Sequence, residues 1–341
     1  MSSTNKTTIF ITGANGYIAK HIIKQALEAG YGVVGTVRST EKGDALAKLV
    51  KNSKFSYEVV KSLDHKGVYD QPLKNHPEVT VLLHTASPVD FSAKDPLNET
   101  IIPAIEGVKE LFDSVKANAP QIKRVVLTTS IAAIAIAVLK GINAVGGPYT
   151  ESDWSPITIE EGSEDGYKAY CASKKFEELA AWKYVEEEKP NFTLATVAPA
   201  YAIGPQAFEE DAAAGIQAST SSSIAGLLKL GKSDEIPVFV GDMVDVRDVA
   251  KCHILAFELD SAQGERFIAA SECFSNHQAI EVITKVFPQY KDSLPTPDLD
   301  EREKPTAPIF QNERTRKILG FEFIKPEVSI VDQLNQLFKY K

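Results

Sequence analysis

The chain has 341 residues, 43% hydrophobic and 24% charged, a balance that excludes a disordered chain and supports either two domains or one large α/β unit with an annex. With 37 basic and 46 acidic side chains the formal charge is −9, which argues against a nucleic-acid or anionic-membrane surface. Three cysteines, Cys171, Cys252 and Cys273, lack CxxC spacing; structural zinc and a disulfide scaffold are unexpected, and a reducing compartment, the cytoplasm, fits.

The polar start, Met1 to Thr8, runs directly into an apolar strand and does not read as a signal peptide. The greasiest stretch, residues 125–139, is broken by Thr128, Thr129 and Ser130. It reads as a buried strand entering an apolar loop or helix, too short for a membrane span. In chain order, strands are expected at residues 8–12, 31–37, 55–60, 79–83, 125–128 and 193–197. Helices are expected at 17–29, 42–50, 97–117 and 169–188. The strand cores are β-branched runs rather than strict alternations, the pattern of a parallel sheet covered on both faces. The second half is cut by Gly204-Pro205, Gly231, Pro237 and Gly241. It reads as a helix near 216–229, a strand near 243–246, a helix at 249–259, a strand at 266–270, and amphipathic tracts near 276–286 and 330–338. The fold class expected is α/β, a Rossmann-type doubly wound parallel sheet with a smaller, discontinuous C-terminal substrate lobe. Residues 1–200 form mainly the dinucleotide-binding domain and 242–270 return to it; residues 201–241 and 271–341 supply the lobe.

Strand, then Thr12-Gly13-Ala14-Asn15-Gly16-Tyr17-Ile18-Ala19, then amphipathic helix is the setting of a dinucleotide fingerprint. Gly13 permits the tight turn, Gly16 admits a pyrophosphate to the backbone, and Ala19 lets helix and sheet approach. The plainer reading is a glycine turn in an unrelated βα unit. The second strand ends Val37-Arg38-Ser39 without an acid. A carboxylate there would suit NAD; Arg38 instead offers a fork to a 2′-phosphate, so NADPH is expected. Otherwise Arg38 is a solvated loop arginine.

Tyr170 and Lys174 are four apart and share a helix face. A tyrosine ionises near pH ~10, and an ammonium one turn away favours the phenolate. The same ammonium can hold a ribose hydroxyl. Ser130 follows a buried strand, so it emerges at the carboxyl edge of the sheet and can hydrogen-bond a substrate carbonyl. Taken singly, Tyr170 reads better as a core or interface aromatic and Lys174 as a solvated lysine. The six histidines have no metal spacing. Glu177-Glu178 and residues 186–188 read as a solvated helix face, and Cys171 as a packing residue. Phe91, Phe208 and Trp154 either line an apolar substrate pocket or pack against the body.

These residues, with YCASK at 170–174, resemble the extended short-chain dehydrogenase/reductase family. TGANGYIAKHI, VVLTTS, AYCASKKFEE and DVRDVAKCH are similar to the yeast NADPH-dependent aldehyde and ketone reductases within it, relatives of plant dihydroflavonol 4-reductase and cinnamoyl-CoA reductase. The resemblance covers residues 8 to about 338. It implies a catalytic triad of Ser130, Tyr170 and Lys174. It implies cofactor contacts from Thr12, Gly13, Asn15, Gly16, Tyr17, Ile18, Arg38, Thr85, Ala86, Ser87, Tyr170, Lys174 and Pro199, and a substrate border at Tyr201; Phe91, from its loop, and Ile131, next to Ser130, complete the candidate pocket. Asp245, Arg247 and Asp248 resemble the family's structural segment between the lobes. Three positions depart from the pattern. The Asp usual over the adenine is Ser62 here, with Asp64 two residues on as the candidate. Ile131 replaces a Tyr, and Ala198 replaces an Asn, making the pocket less polar or roomier. The expected activity is reduction of aldehydes and ketones with apolar substituents by a monomer or homodimer. A nucleotide-sugar epimerase or dehydratase, or a non-enzymatic NADP-binding protein, are the alternatives.

Overall fold

The structure, a computed structural model, describes residues 7–63, 65–135, 148–214, 220–298 and 310–340. The first half alternates β1 (Thr8–Thr12), α1 (Tyr17–Glu28), β2 (Gly32–Val37), α2 (Thr40–Val50), β3 (Phe55–Val59), a short α3 (Asp70–Lys74), β4 (Val79–His84), α4 (Ile102–Asn118) and β5 (Arg124–Thr128). After a 3₁₀ turn (Ile131–Ala133) come α5 (Ile159–Gly162), the long α6 (Gly166–Glu188), β6 (Thr193–Pro199), β7 (Tyr201–Ile203), α7 (Glu209–Ala213) and α8 (Ser221–Leu227). β8 (Val240–Asp245), α9 (Val246–Glu258), β9 (Arg266–Ala269), β10 (Glu272–Ser275), α10 (Asn276–Val286), α11 (Glu313–Leu319) and α12 (Pro326–Phe338) complete it.

Seven strands, ordered β3-β2-β1-β4-β5-β6-β9, make the larger sheet, and every adjacent pair is parallel. The expected doubly wound sheet is therefore present. The strand order reverses between β1 and β4, and in such sheets ligands gather at that crevice beyond the carboxyl ends. Each face has its own apolar cluster. One joins Ile9, Ile11 and Val33 to Ile22 and Ile23 of α1; the other joins Phe10, Val34 and Leu82 to Leu111, Phe112 and Val115 of α4. Burying each of these side chains contributes about 1.5–3 kcal/mol, which fixes α1 and α4 on opposite sides of the sheet.

The second sheet, β10-β8-β7, is where sequence and structure part. β8 pairs parallel with β7 and antiparallel with β10 rather than joining the larger sheet. Of residues 242–270, β9 joins the larger sheet, while β8 lies in the second sheet with its Val244 packed in the main core. β7 and β10 have three and four residues, too short to leave a period in the sequence, and exist through pairing with β8. Their core joins Ile203, Met243 and Phe274 to Ile280, Ile283, Ile330 and Leu334. Within residues 271–341, Phe310, Leu319 and Phe323 pack instead on the main core. There the Thr315 hydroxyl accepts Ile268 N–H at 2.9 Å, and Asn312 donates to Ile268 and Ala270 carbonyls, which closes the free edge of β9.

Several helices differ in extent from expectation, α9 and α12 starting at Val246 and Pro326 rather than near 249 and 330. α6 starts at Gly166 because Asp165 caps it, accepting Tyr167 and Lys168 N–H at 2.9 and 2.8 Å. The helix expected at 97–117 opens with a π turn, Leu97–Ile101. Near 216–229 only α8 lies among the described residues.

α1 also reaches the smaller lobe. Tyr17 Oη donates to the Gly204 carbonyl at 2.6 Å, the His21 ring meets the Pro205 carbonyl at 3.0 Å, and Lys24 Nζ donates to the Ala207 carbonyl at 3.0 Å. Lys20 pairs with Asp211 at 2.7 Å. Asp245 caps α9, pairs with Arg247 at 2.6 Å and accepts from Ser329 Oγ at 2.6 Å. Asp248 accepts Ile324 N–H at 2.5 Å. The segment thus stitches α9 to the C-terminal elements.

Candidate active site

Gly13 sits at φ +69, and a Cβ there would lie 3.0–3.1 Å from Ala86, so the turn between β1 and α1 admits only glycine. No side chain caps the first turn of α1, which leaves backbone N–H groups at a helix N-terminus for an anion. Thr12 is buried beside the turn; Asn15, Tyr17 and Ile18 are half-buried and Gly16 is exposed. Asn15 Nδ2 donates to the Lys42 carbonyl at 3.3 Å. Arg38 is exposed at the end of β2 and makes no hydrogen bond or ion pair among the described residues. Lys42, on the first turn of α2, is a second cation at that edge, which the sequence reading missed. Its only signal is that Ser39 caps the helix, accepting Lys42 N–H. These donors fit a dinucleotide with an extra phosphate on its adenosine side. Asp64 lies outside the described residues.

The loop after β4 crosses beside this turn. Thr85 and Ala86 N–H both donate to Thr12 Oγ1 at 3.1 Å, and Thr85 Oγ1 donates to the Thr12 carbonyl at 2.5 Å. Ser87 Oγ donates to Glu177 Oε2 at 3.3 Å. Further along, Phe91 is 53% exposed, its ring centroid 5.7 Å from that of Tyr170 and 6.2 Å from that of Tyr167. The close approach needs Gly166, where a Cβ would sit 2.2 Å from the Phe91 carbonyl oxygen.

Ser130 is buried just past β5 and caps the 3₁₀ turn, accepting Ala132 N–H at 3.1 Å. Accepting there leaves its hydrogen for another acceptor. Ala132 shares an apolar cluster with Ala169, Cys171 and Ala172, and Tyr170 packs against it. Burial pushes the Cys171 thiol up to about 12, so it serves packing rather than nucleophilic chemistry. Lys174 is 5% exposed, one turn along α6 from Tyr170. Ile131 is buried in the main core, and Pro199 is buried at the end of β6, opposite Ala269. Tyr201 packs its ring 4.8 Å from Phe239 in the smaller lobe. Tyr167, absent from the sequence reading, faces Phe91 and lies within electrostatic reach of Tyr170 and Tyr201; desolvation raises its ionisation well above the usual range. Its position three residues before Tyr170, on the same helix face, could have found it.

Glu177 and Glu178 are not solvated. Both are almost wholly buried. Glu178 faces Arg266 at 2.8 and 2.9 Å and accepts from Thr129 and Thr196 hydroxyls at 3.0 and 2.7 Å. Glu177 pairs with Lys174 at 3.0 Å. Trp154 covers the Arg266 guanidinium, 3.9 Å from its ring centroid, and so packs against the body.

Residues 9–270 match the NAD dependent epimerase/dehydratase family. The chain belongs to that family. Within it the resemblance to the yeast reductases holds. The chain is 45% identical, over 98% of its length and 99% of the other's, to a Candida albicans protein provisionally named an NADPH-dependent methylglyoxal reductase. It is 34% identical to the NADPH-dependent methylglyoxal reductase of Saccharomyces cerevisiae, over 98% and 99%. The crystal structure of yeast methylglyoxal/isovaleraldehyde reductase complexed with NADPH superposes with a TM-score of 0.91 at 35% identity, covering 98% of each chain.

Proposed function

We propose that this protein is an NADPH-dependent carbonyl reductase that converts aldehydes and ketones with apolar substituents to alcohols. The observation that carries the reading is the buried Lys174, one helix turn from Tyr170 and linked through Glu177 and Ser87 to the loop beside the glycine turn. The NADPH-dependent names of the relatives support the same cofactor.

The glycine turn and the N-terminus of α1 would receive the pyrophosphate, and Arg38 with Lys42 the adenosine phosphate. Lys174 would hold a ribose hydroxyl. The bound nicotinamide supplies a hydride to the carbonyl carbon. Ser130 directs its free hydrogen at the carbonyl oxygen, and Tyr170 gives that oxygen a proton. The Lys174 ammonium favours the phenolate left behind. Phe91 and Tyr167 form an aromatic wall for the apolar substituent, with Tyr201 and Ile131 on the other borders. The larger body thus serves the cofactor and carries most of the substrate wall, to which the smaller lobe adds Tyr201.

The test is loss of NADPH absorbance with a graded ketone series. kcat/KM should hold or rise as apolar bulk is added, each Å² buried contributing about 25 cal/mol. A steady fall would refute the substrate class, and sugar-nucleotide turnover with no ketone reduction would favour the epimerase alternative. Among the described residues no helix is long and apolar enough to cross a membrane. The setting proposed is a cytoplasmic monomer or homodimer, which light scattering would resolve.

A further inference from the structure

Glu177 is a carboxylate that the reaction as described does not use, yet it lies 1% exposed beneath it. It is three residues along α6 from Lys174, with Oε2 3.0 Å from the ammonium and 3.3 Å from Ser87 Oγ. Its other oxygen is 3.9 Å from His84 Nε2 on β4. The remaining titratable groups facing it are Glu178, its neighbour on α6, and Tyr69, ahead of α3. The Tyr69 hydroxyl is fully buried and has no hydrogen-bond partner among the described residues. Among the described residues Glu177 is the only acid paired with Lys174.

The hydrogen-bond inventory sets the direction of this cluster. Thr12 Oγ1 accepts two N–H groups, from Thr85 and Ala86, and lies 2.7 Å from His84 Nδ1. A hydroxyl has one hydrogen and two acceptor sites. With both sites taken, Thr12 donates to Nδ1, so the remaining ring proton is on Nε2, on the side of Glu177. Burial, and then the Lys174 charge, push His84 down to about 3, so it stays neutral. The chain of groups therefore contains one cation, Lys174, and one carboxylate holding it. Burial raises Glu177 above the usual carboxylate range, and Lys174 and Ser87 oppose that rise. An isolated buried ammonium is costly and sheds its proton more readily than a paired one.

We propose that Glu177 is a positioning residue for the reaction: it holds the Lys174 ammonium in place and in its charged form, and ties it through Ser87 to the loop beside the glycine turn, with the neutral His84 ring packed 3.9 Å away. This rests on the reading that Lys174 serves the cofactor and Tyr170.

The experiment measures kcat against pH, with saturating NADPH and ketone, for the full-length parent, Glu177→Gln, Glu177→Asp and Lys174→Ala. Thermal melts and NADPH titrations accompany each. In Glu177→Gln the alkaline limb of kcat should move down by about one pH unit or more, a roughly tenfold loss at fixed alkaline pH, with kcat near pH 6 within a few-fold of the parent. Glu177→Asp retains the charge one methylene short of the ammonium and should fall between parent and Gln. A Glu177→Gln profile that superimposes on the parent, whatever its melting temperature, overturns the proposal. If Glu177→Gln does not fold, Glu177→Asp decides, and an unmoved limb overturns it equally. Lys174→Ala separates the two levels: parent-like activity there means that the assignment of Lys174 itself has failed.

Discussion

Glu178→Ala should be among the most damaging single changes outside the reacting groups. The carboxylate is wholly buried between α6 and the larger sheet, facing Arg266 on β9, which is itself 7% exposed. Removing it leaves the Arg266 guanidinium without its acid, with only the Glu151 and Asp153 carbonyls as acceptors, and also strands the Thr129 and Thr196 hydroxyls and the Trp182 indole N–H. Breaking one side of a buried pair costs about 3–5 kcal/mol. For 341 residues the unfolding entropy is about 0.7 kcal/mol per kelvin, so a loss of about 4 kcal/mol lowers the melting temperature by about 6 °C. Glu178→Leu combined with Arg266→Met should recover most of that loss, because the pair then leaves no stranded charge. Calorimetry and urea denaturation of the three proteins measure it. A single variant melting within about 1 °C of the parent would refute the reasoning, since the entropy scale turns that into under about 1 kcal/mol.

Arg38→Asp should erase or reverse the preference for NADPH over NADH, at a cost of about 1.5–3 kcal/mol in NADPH binding; fluorescence titration with both nucleotides reads it, and equal parental affinities would disprove the assignment. Tyr170→Phe should keep NADPH affinity within a few-fold while kcat falls by roughly 10²–10⁴, whereas Lys174→Ala should weaken both in titration and single-turnover kinetics. Stability should fall steeply below pH 6.5. His21, His84 and His253 are buried and pushed down to about 4, 3 and 4, so the unfolded chain takes up their protons first. Their contribution is complete above about pH 6.5 and drains away toward pH 4, with a slope near pH 5 of up to about 4 kcal/mol per pH unit, which Asp248, raised by burial to about 6, offsets by about 1. Urea midpoints that stay flat between pH 6.5 and 5 would contradict this.

The parts legible in sequence are those where local pattern and tertiary role coincide. Val33, Val34 and Val37 announce a strand buried on both faces, and the glycine turn before α1 announces its conformation, because only glycine adopts it. Tyr170 and Lys174 share a face simply by helical spacing. Glu177 and Glu178 were not legible, because nothing local distinguishes a buried carboxylate from a solvated one. The distinction lies in Arg266, 88 positions downstream of Glu178, and in His84 and Ser87, far upstream on another strand and its loop. β7 and β10 escaped for a similar reason: three or four residues carry no periodicity, and their partner β8 supplies the order.

The seam between α1 and the smaller lobe has a consequence for how such a protein can change. Among the described residues, three of the ties named above end on main-chain carbonyls, those of Gly204, Pro205 and Ala207. A carbonyl is offered by every residue type, so the helix grips the course of that loop rather than its side chains. Most side chains on the loop can therefore be exchanged while the helix keeps its hold; among the described residues the ties that depend on a particular residue are the ion pair of Lys20 with Asp211 and the turn at Gly204, held at φ +126. The lobe is attached by backbone and free to diversify by side chain, a division of labour that lets one cofactor platform carry many differently shaped pockets.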